Sequence, residues 1–114
     1  MAQDAPEFKD NDMYRLLRDE NIEEFNKRRA AGEVCDLLGA DFRNLVLTGI
    51  SAEGLDLSGC YFRTCDLRGV DFSLSKLEGA SIHDAQISGT LFPTALRAEE
   101  ISLSLNHGTR MRYY

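Results

Sequence analysis

Nowhere in the 114 residues does an apolar run approach the roughly 20 residues needed to span a bilayer. Met1 to Asp12 is polar and has no apolar centre, so no secretion signal is expected; the expected location is the cytoplasm, with no membrane partner. Positive charge is in deficit, with 13 Lys and Arg against 19 Asp and Glu and a net charge of −6. A general binder of nucleic acid or of anionic membranes needs a basic face, so direct nucleic-acid binding is not expected. Histidine is limited to His83 and His107, both far in sequence from the three cysteines, and no Cys-x-x-Cys pair occurs. Metal and redox chemistry therefore lack a ligand set. No glycine is followed by the Lys-Ser or Lys-Thr of a phosphate-binding loop, and no cofactor is expected.

The chain is instead dominated by a repeat. From Val34 to Thr94 every fifth residue is large and apolar: Leu37, Phe42, Leu47, Leu57, Phe62, Leu67, Phe72, Leu77, Ile82, Ile87 and Phe92, with Ala52 the one break. Two positions earlier stands a small or apolar residue such as Cys35, Ala40, Cys60, Cys65, Val70, Ala80 or Ala85. A period of five fits neither a strand nor a helix. If each unit of five forms one side of a square coil, twenty residues close a turn and the units sort into columns. Gly39, Gly59 and Gly79 then share one column and Gly49, Gly69 and Gly89 another, as repeated corners with positive φ require. The same register stacks Phe42, Phe62 and Ile82 as an internal core column. Cys35, Cys60 and Cys65 occupy the small inward slots, which reads as reduced, buried thiols.

These units resemble those of pentapeptide-repeat proteins, commonly written Ala-(Asp/Asn)-Leu-X-X. Ala40-Asp41-Phe42-Arg43, Cys65-Asp66-Leu67-Arg68-Gly69 and Val70-Asp71-Phe72 follow that unit closely. The units near Val46, Ser51 and Lys76 depart from it at the acidic position, which interrupts any continuous acidic column. The resemblance implies an all-β solenoid, a right-handed quadrilateral β-helix, here of about three coils with short helical caps at both ends. It also implies a bacterial source, and it implies no activity, since most members of the family have no known one.

Four segments are expected: a disordered N-terminus over 1–11, a helical cap over 12–33, the repeats over 34–94, and a C-terminal cap with a basic, aromatic tail over 95–114. In the first cap, Met13, Leu16 and Leu17 share a face, Asn21 stands three residues before Glu24 in a capping box, and Ile22 and Phe25 supply a second apolar face that Gly32 can close. Helices over about 12–18 and 22–31 follow, either covering the open end of the coil or binding a partner. After Thr94 the count places Arg97, Ser102 and His107 in core slots, so the repeat stops. Leu96 to Leu105 suits a helix closed by Asn106 or Gly108, yet the alternation of Ile101, Leu103 and Leu105 suits a strand equally well. The tail Arg110-Met111-Arg112-Tyr113-Tyr114 is cationic and aromatic, and reads either as a frayed end or as the interface of a homodimer.

The outward columns are Asp36, Asp56 and Lys76; Asp41, Tyr61 and Ser81; and Arg43, Arg63 and His83. They form ladders on a convex prism without a cleft, and catalytic sites favour concave pockets, so no catalytic residue is expected. The column of Arg43, Arg63 and His83, flanked by Tyr61, is the candidate partner-binding surface; its alternative is an arginine ladder paired with Asp41 and its neighbours. The expected function is a non-enzymatic protein-interaction or scaffold module. The family resemblance supplies the alternative, a DNA mimic that binds a type II topoisomerase such as gyrase. Residues 35–94 carry eight acids and four bases, a thin charge for that role. Duplex DNA carries one charge per ~1.7 Å of axis.

Overall fold

The computed structural model describes residues 5–113, and among them the regular secondary structure is three helices: α1 (Asp12–Arg18), α2 (Ile22–Ala30) and α3 (Ala98–His107). Asn11 caps α1 by accepting a 2.8 Å hydrogen bond from the Tyr14 amide, and Asn21 caps α2 by accepting from Glu24 at 3.3 Å. Glu23 and Glu24 in the first turn of α2, and Lys27, Arg28 and Arg29 in its last, complement the helix dipole. Met13, Tyr14 and Leu17 of α1 and Phe25 of α2 are buried against the repeats. Between helix and strand, the C-terminal segment is helix. Ile101 and Leu105 lie one turn apart and pack on the core, and Gly108, at φ 75°, closes α3 through a bond to Ser104.

The all-β reading is corrected. Among the described residues there is no continuous strand and no sheet, only seven isolated single-residue bridges between turns, so the expected right-handed quadrilateral β-helix is not what the backbone forms. The reason is local. A two-residue turn recurs in nearly every unit of five, and of the three residues between successive turns generally no more than one makes a bridge, whereas a ladder needs consecutive paired residues.

The twenty-residue spacing is nevertheless present in the contacts. All seven bridges are parallel, and all but Glu7–Ala40 join residues twenty apart, including Asp41–Tyr61, Tyr61–Ser81, Asp56–Lys76 and Asp71–Leu91. Two sets of backbone hydrogen bonds join the turns. In one of them the amide before the large inward residue donates to the preceding turn, as Tyr61 does to Ala40 at 3.0 Å; the other set runs the opposite way. The amide of the large inward residue, and that two places on, donate to carbonyls of the following turn, as Phe62 does to Ser81 at 2.8 Å and Thr64 to His83 at 2.9 Å. Corner residues take positive φ: Gly39, Gly59 and Gly79 lie at 65°, 72° and 81°. Their counterparts one unit later are Asn44, Thr64 and Asp84, at 69°, 58° and 59°.

Phe42 and Phe62 stack with ring centroids 5.4 Å apart, and Phe62 continues to Phe72 at 6.0 Å. Ile82 is buried below them. Cys60 and Cys65 are buried free thiols whose Sγ atoms donate to the Leu37 and Phe42 carbonyls, while Cys35 is half-buried. Burial pushes the Cys60 and Cys65 thiols up to about 12.

At the N-terminal end, side chains stand in for the missing preceding turn. Asn11 donates to the Asp36 carbonyl, Tyr14 and Arg18 to that of Asp41, Asn26 to that of Gly49 and Arg29 to that of Glu53. Glu20 and Asn26 accept from the Val46 and Ser51 amides. Of the segment 1–11 expected to be disordered, residues 1–4 lie outside the described residues. Glu7 pairs on both sides, its amide with the Gly39 carbonyl and its carbonyl with the Asp41 amide, and the Phe8 ring meets Tyr14 edge-on.

Candidate interaction face

Arg43, Arg63 and His83 each immediately precede a corner residue of positive φ, Asn44, Thr64 and Asp84, which turns the backbone and leaves the preceding side chain on one face. Thr64 is β-branched, a type that rarely takes this conformation. Its hydroxyl lies against Asn44 Oδ1 and the Arg63 carbonyl, local bonds that hold the corner. Tyr61 belongs to the bridge column and points to the same face.

Asp41 corrects the expected outward column. It is 3% exposed and Ser81 6%, with Tyr61 half-buried. The cause is the terminal segments: Tyr14 and Arg18 lie over Asp41, and the Ser81 hydroxyl meets the Gly108 carbonyl at 3.3 Å. Asp41 holds Arg43 by a fork, Nε to Oδ1 at 3.0 Å and Nη2 to Oδ2 at 2.8 Å, with the Arg43 amide also on Oδ1. Burial works to raise the Asp41 pKa, but these bonds outweigh it and the net direction is downward. Asp66 and Arg68 repeat the fork one unit round the coil after Arg63, at 2.9 and 2.6 Å.

The column therefore divides. Arg43 is neutralised by Asp41. Arg63 is exposed and, among the described residues, makes no ion pair with a carboxylate. His83 is half-buried, with Nε2 3.7 Å from Asp84 Oδ2. Arg63 borders two shallow hollows. One of about 340 Å³ is lined by Phe8, Arg18, Asp41, Arg43, Asn44 and Arg63. The other, about 220 Å³, lies among Pro6, Arg43, Tyr61, Arg63, Ser81, His83 and Gly108.

Two cations join this face from outside the repeats. Arg18 stacks its guanidinium 5.0 Å over the Phe8 ring while donating to the Asp41 and Arg43 carbonyls. The repeat pattern carries no sign of it; the only signal is its place four residues after Tyr14 on a helix. Arg110, expected in a dimer interface, lies 5.2 Å over the Tyr61 ring and donates to Tyr61 Oη.

The rest of the tail is engaged with its own chain. Met111 is fully buried; its amide donates to the Ala80 carbonyl, and its carbonyl accepts from Gly79 at 2.7 Å. Tyr113 Oη accepts from the Leu77 amide, and Arg112 forks onto buried Glu100, lowering that carboxyl's pKa through its hydrogen bonds. Tyr114 lies outside the described residues. Among those residues, no three His, Cys, Asp or Glu side chains gather as a metal site, and no helix is long and apolar enough to cross a membrane.

Residues 56–92 match the family model for pentapeptide repeats, in eight copies. The match covers about a third of the chain and identifies pentapeptide repeats in that stretch, in agreement with the resemblance read from the units. The match begins later than the repeat pattern at Val34. No curated protein and no solved structure matches the chain.

Proposed function

We propose that this chain is a non-enzymatic protein-interaction module that presents the Arg43–Arg63–His83 face to an acidic protein partner. Pentapeptide-repeat proteins are generally structural or interaction modules. The observation that carries the reading is Arg63. It is an exposed guanidinium without a carboxylate among the described residues, on a chain with a surplus of acids, set between two hollows and flanked by Arg18, Arg110 and Tyr61. Guanidinium groups beside aromatic rings are favoured anchors for carboxylates. The free thiols of Cys60 and Cys65 support a reducing compartment, which fits the cytoplasm.

The topoisomerase-binding DNA mimic has less support. Asp41 and Asp66, two members of the acidic positions, are buried and forked to Arg43 and Arg68, so they offer little charge to an approaching cationic groove. A homodimer through the tail also has less support, because Met111 is already buried within its own chain.

The test is binding of a fluorescently labelled Asp/Glu-rich peptide, followed by anisotropy at low and high salt. Saturable binding that weakens with salt is expected. Arg63→Glu is expected to weaken it by at least about tenfold, a difference of ~1.4 kcal/mol, with an unchanged melting curve. Equal affinity of Arg63→Glu and the natural chain would remove this face from the proposal.

A further inference from the structure

The two ends of the repeat region are closed to different extents. At the N-terminal end, side chains or backbone of residues 7–29 reach every side of the first turn, from the Asp36 carbonyl round to that of Glu53. At the C-terminal end the donors are amides, and each can be compared with its counterpart one turn earlier. Leu57, Gly59, Phe62 and Thr64 donate to the carbonyls of Lys76, Glu78, Ser81 and His83. Their equivalents in the last turn are all satisfied by the C-terminal cap. Leu77 donates to Tyr113 Oη at 2.8 Å, Gly79 to the Met111 carbonyl at 2.7 Å, Ile82 to Ser104 Oγ at 2.9 Å and Asp84 to the Leu105 carbonyl at 3.0 Å.

There the cap stops. Leu67, Gly69 and Phe72 donate to the carbonyls of Gln86, Ser88 and Leu91 at 2.9, 3.0 and 2.8 Å. The equivalents Ile87, Gly89 and Phe92 have no acceptor among the described residues. Exposure follows the same division: Leu67 and Phe72 are buried, whereas Ile87 and Phe92 are half-buried and Leu91 is 55% exposed. Half of the terminal turn thus keeps its donors and part of its apolar surface uncovered, directly beside the half that the chain's own Met111 segment covers.

We infer that Ile87–Phe92 is a docking edge for an extended segment of a partner polypeptide, which completes the turn that Ser104–Tyr113 begins. The chemistry of the occupant follows from the turn above. The Ile87 and Gly89 amides need two carbonyls two residues apart, the spacing of Gln86 and Ser88 under Leu67 and Gly69. The residue between those carbonyls must be apolar, to seat on Ile87 as Ile87 seats beneath Leu67. A third carbonyl three residues further on meets Phe92, as Leu91 meets Phe72. The outward side chains beside the edge are Gln86, Ser88 and Leu91, none of them charged, so selection falls on the inward positions: the fitting segment carries large apolar residues five apart, as Leu67 and Phe72 are. Backbone pairing supplies affinity and alternate side chains supply selection, as in other cases of strand addition. This edge is separate from the Arg63 face and makes no use of its charge.

The probe is a synthetic peptide of sequence 65–74, with Ala for Cys65, added to the intact chain while amide exchange is followed residue by residue. At saturating peptide, exchange at Ile87, Gly89 and Phe92 is expected to slow by at least about tenfold, with Leu67 and Gly69 unchanged. The same peptide carrying Leu67→Asp and Phe72→Asp is expected to give no protection. Unchanged rates at the three amides, or equal protection by the Asp-bearing peptide, would overturn the inference. Protection that grows with protein concentration in the absence of peptide would also overturn it, by assigning the edge to a second copy of the chain. Charge variants at Arg63 leave this readout untouched, so failure here and failure of the proposed acidic-partner face are separable.

Discussion

Phe62→Ala and Arg63→Ala replace adjacent residues whose surroundings differ as far as this fold permits. The Phe62 ring is 2% exposed, stacked 5.4 Å from Phe42 at an interplanar angle of 14°, and tilted against Phe72 at 6.0 Å. Truncation to Ala removes the apolar contacts and leaves a cavity between two rings that successive turns hold in place. Substitutions of this kind cost roughly 3–5 kcal/mol. At ~4–8 °C per kcal/mol for a domain of about 100 residues, Tm should fall by roughly 12–40 °C. Arg63 has its guanidinium in solvent and no fork to a carboxylate, so Arg63→Ala should stay within ~0.5 kcal/mol, or less than about 4 °C. Thermal unfolding followed by circular dichroism, with a urea titration beside it, measures both variants. Equal Tm values, or a larger loss for Arg63→Ala, would refute the assignment of inward and outward positions throughout the repeats.

Met111→Asp places a charge at a fully buried position, and should release the tail without unfolding the repeats; faster exchange of the Gly79 and Leu77 amides, with that of Phe62 unchanged, is the expected pattern. Glu100 is held below the usual carboxylate range by the Arg112 fork, so its contribution is present above its unfolded pKa of about 4.3 and lost as pH falls through the lower folded value. Acidification should therefore loosen the Arg112 and Met111 amides first, and Glu100→Gln should abolish that dependence. With a thiol reagent at about pH 8, half-buried Cys35 should react before Cys60 and Cys65, whose thiols burial pushes up to about 12. Equal rates for the three thiols in the folded protein would contradict this burial.

Much of the architecture was legible because it depends on residues near each other in the chain. One large apolar residue in five marked Phe42, Phe62 and Leu67 as core, and the glycine columns marked the corners. The helix pair was legible in the face of Met13 and Leu17 and in the cap at Asn21, whereas the Asn11 cap of α1 was not read from the sequence. The all-β class was not, because a period of five does not state how much of each unit is turn; the turns leave single bridges where a ladder was expected. The interaction face was half legible. Arg43, Tyr61, Arg63 and His83 lie on one surface, but the pattern gave no notice of Arg18, and it placed Arg110 in a dimer contact.

Which large apolar side chains turn inward in the repeats was set by the sequence alone, since the covalent register of large, small and polar residues leaves one arrangement that points the large ones inward. The tertiary structure alone decided how those turns are finished. Asp41 became a buried partner of Arg43 because α1 lies over it. Met111 became a core residue because its backbone pairs with Gly79 and Ala80. Ile87, Gly89 and Phe92 have no acceptor among the described residues because the cap covers the other half of the turn. Each of these depends on segments that meet only after folding, with separations in the chain from about twenty residues to more than thirty. Local spacing does not encode meetings at that distance, and the free energy of covering one exposed turn selects them.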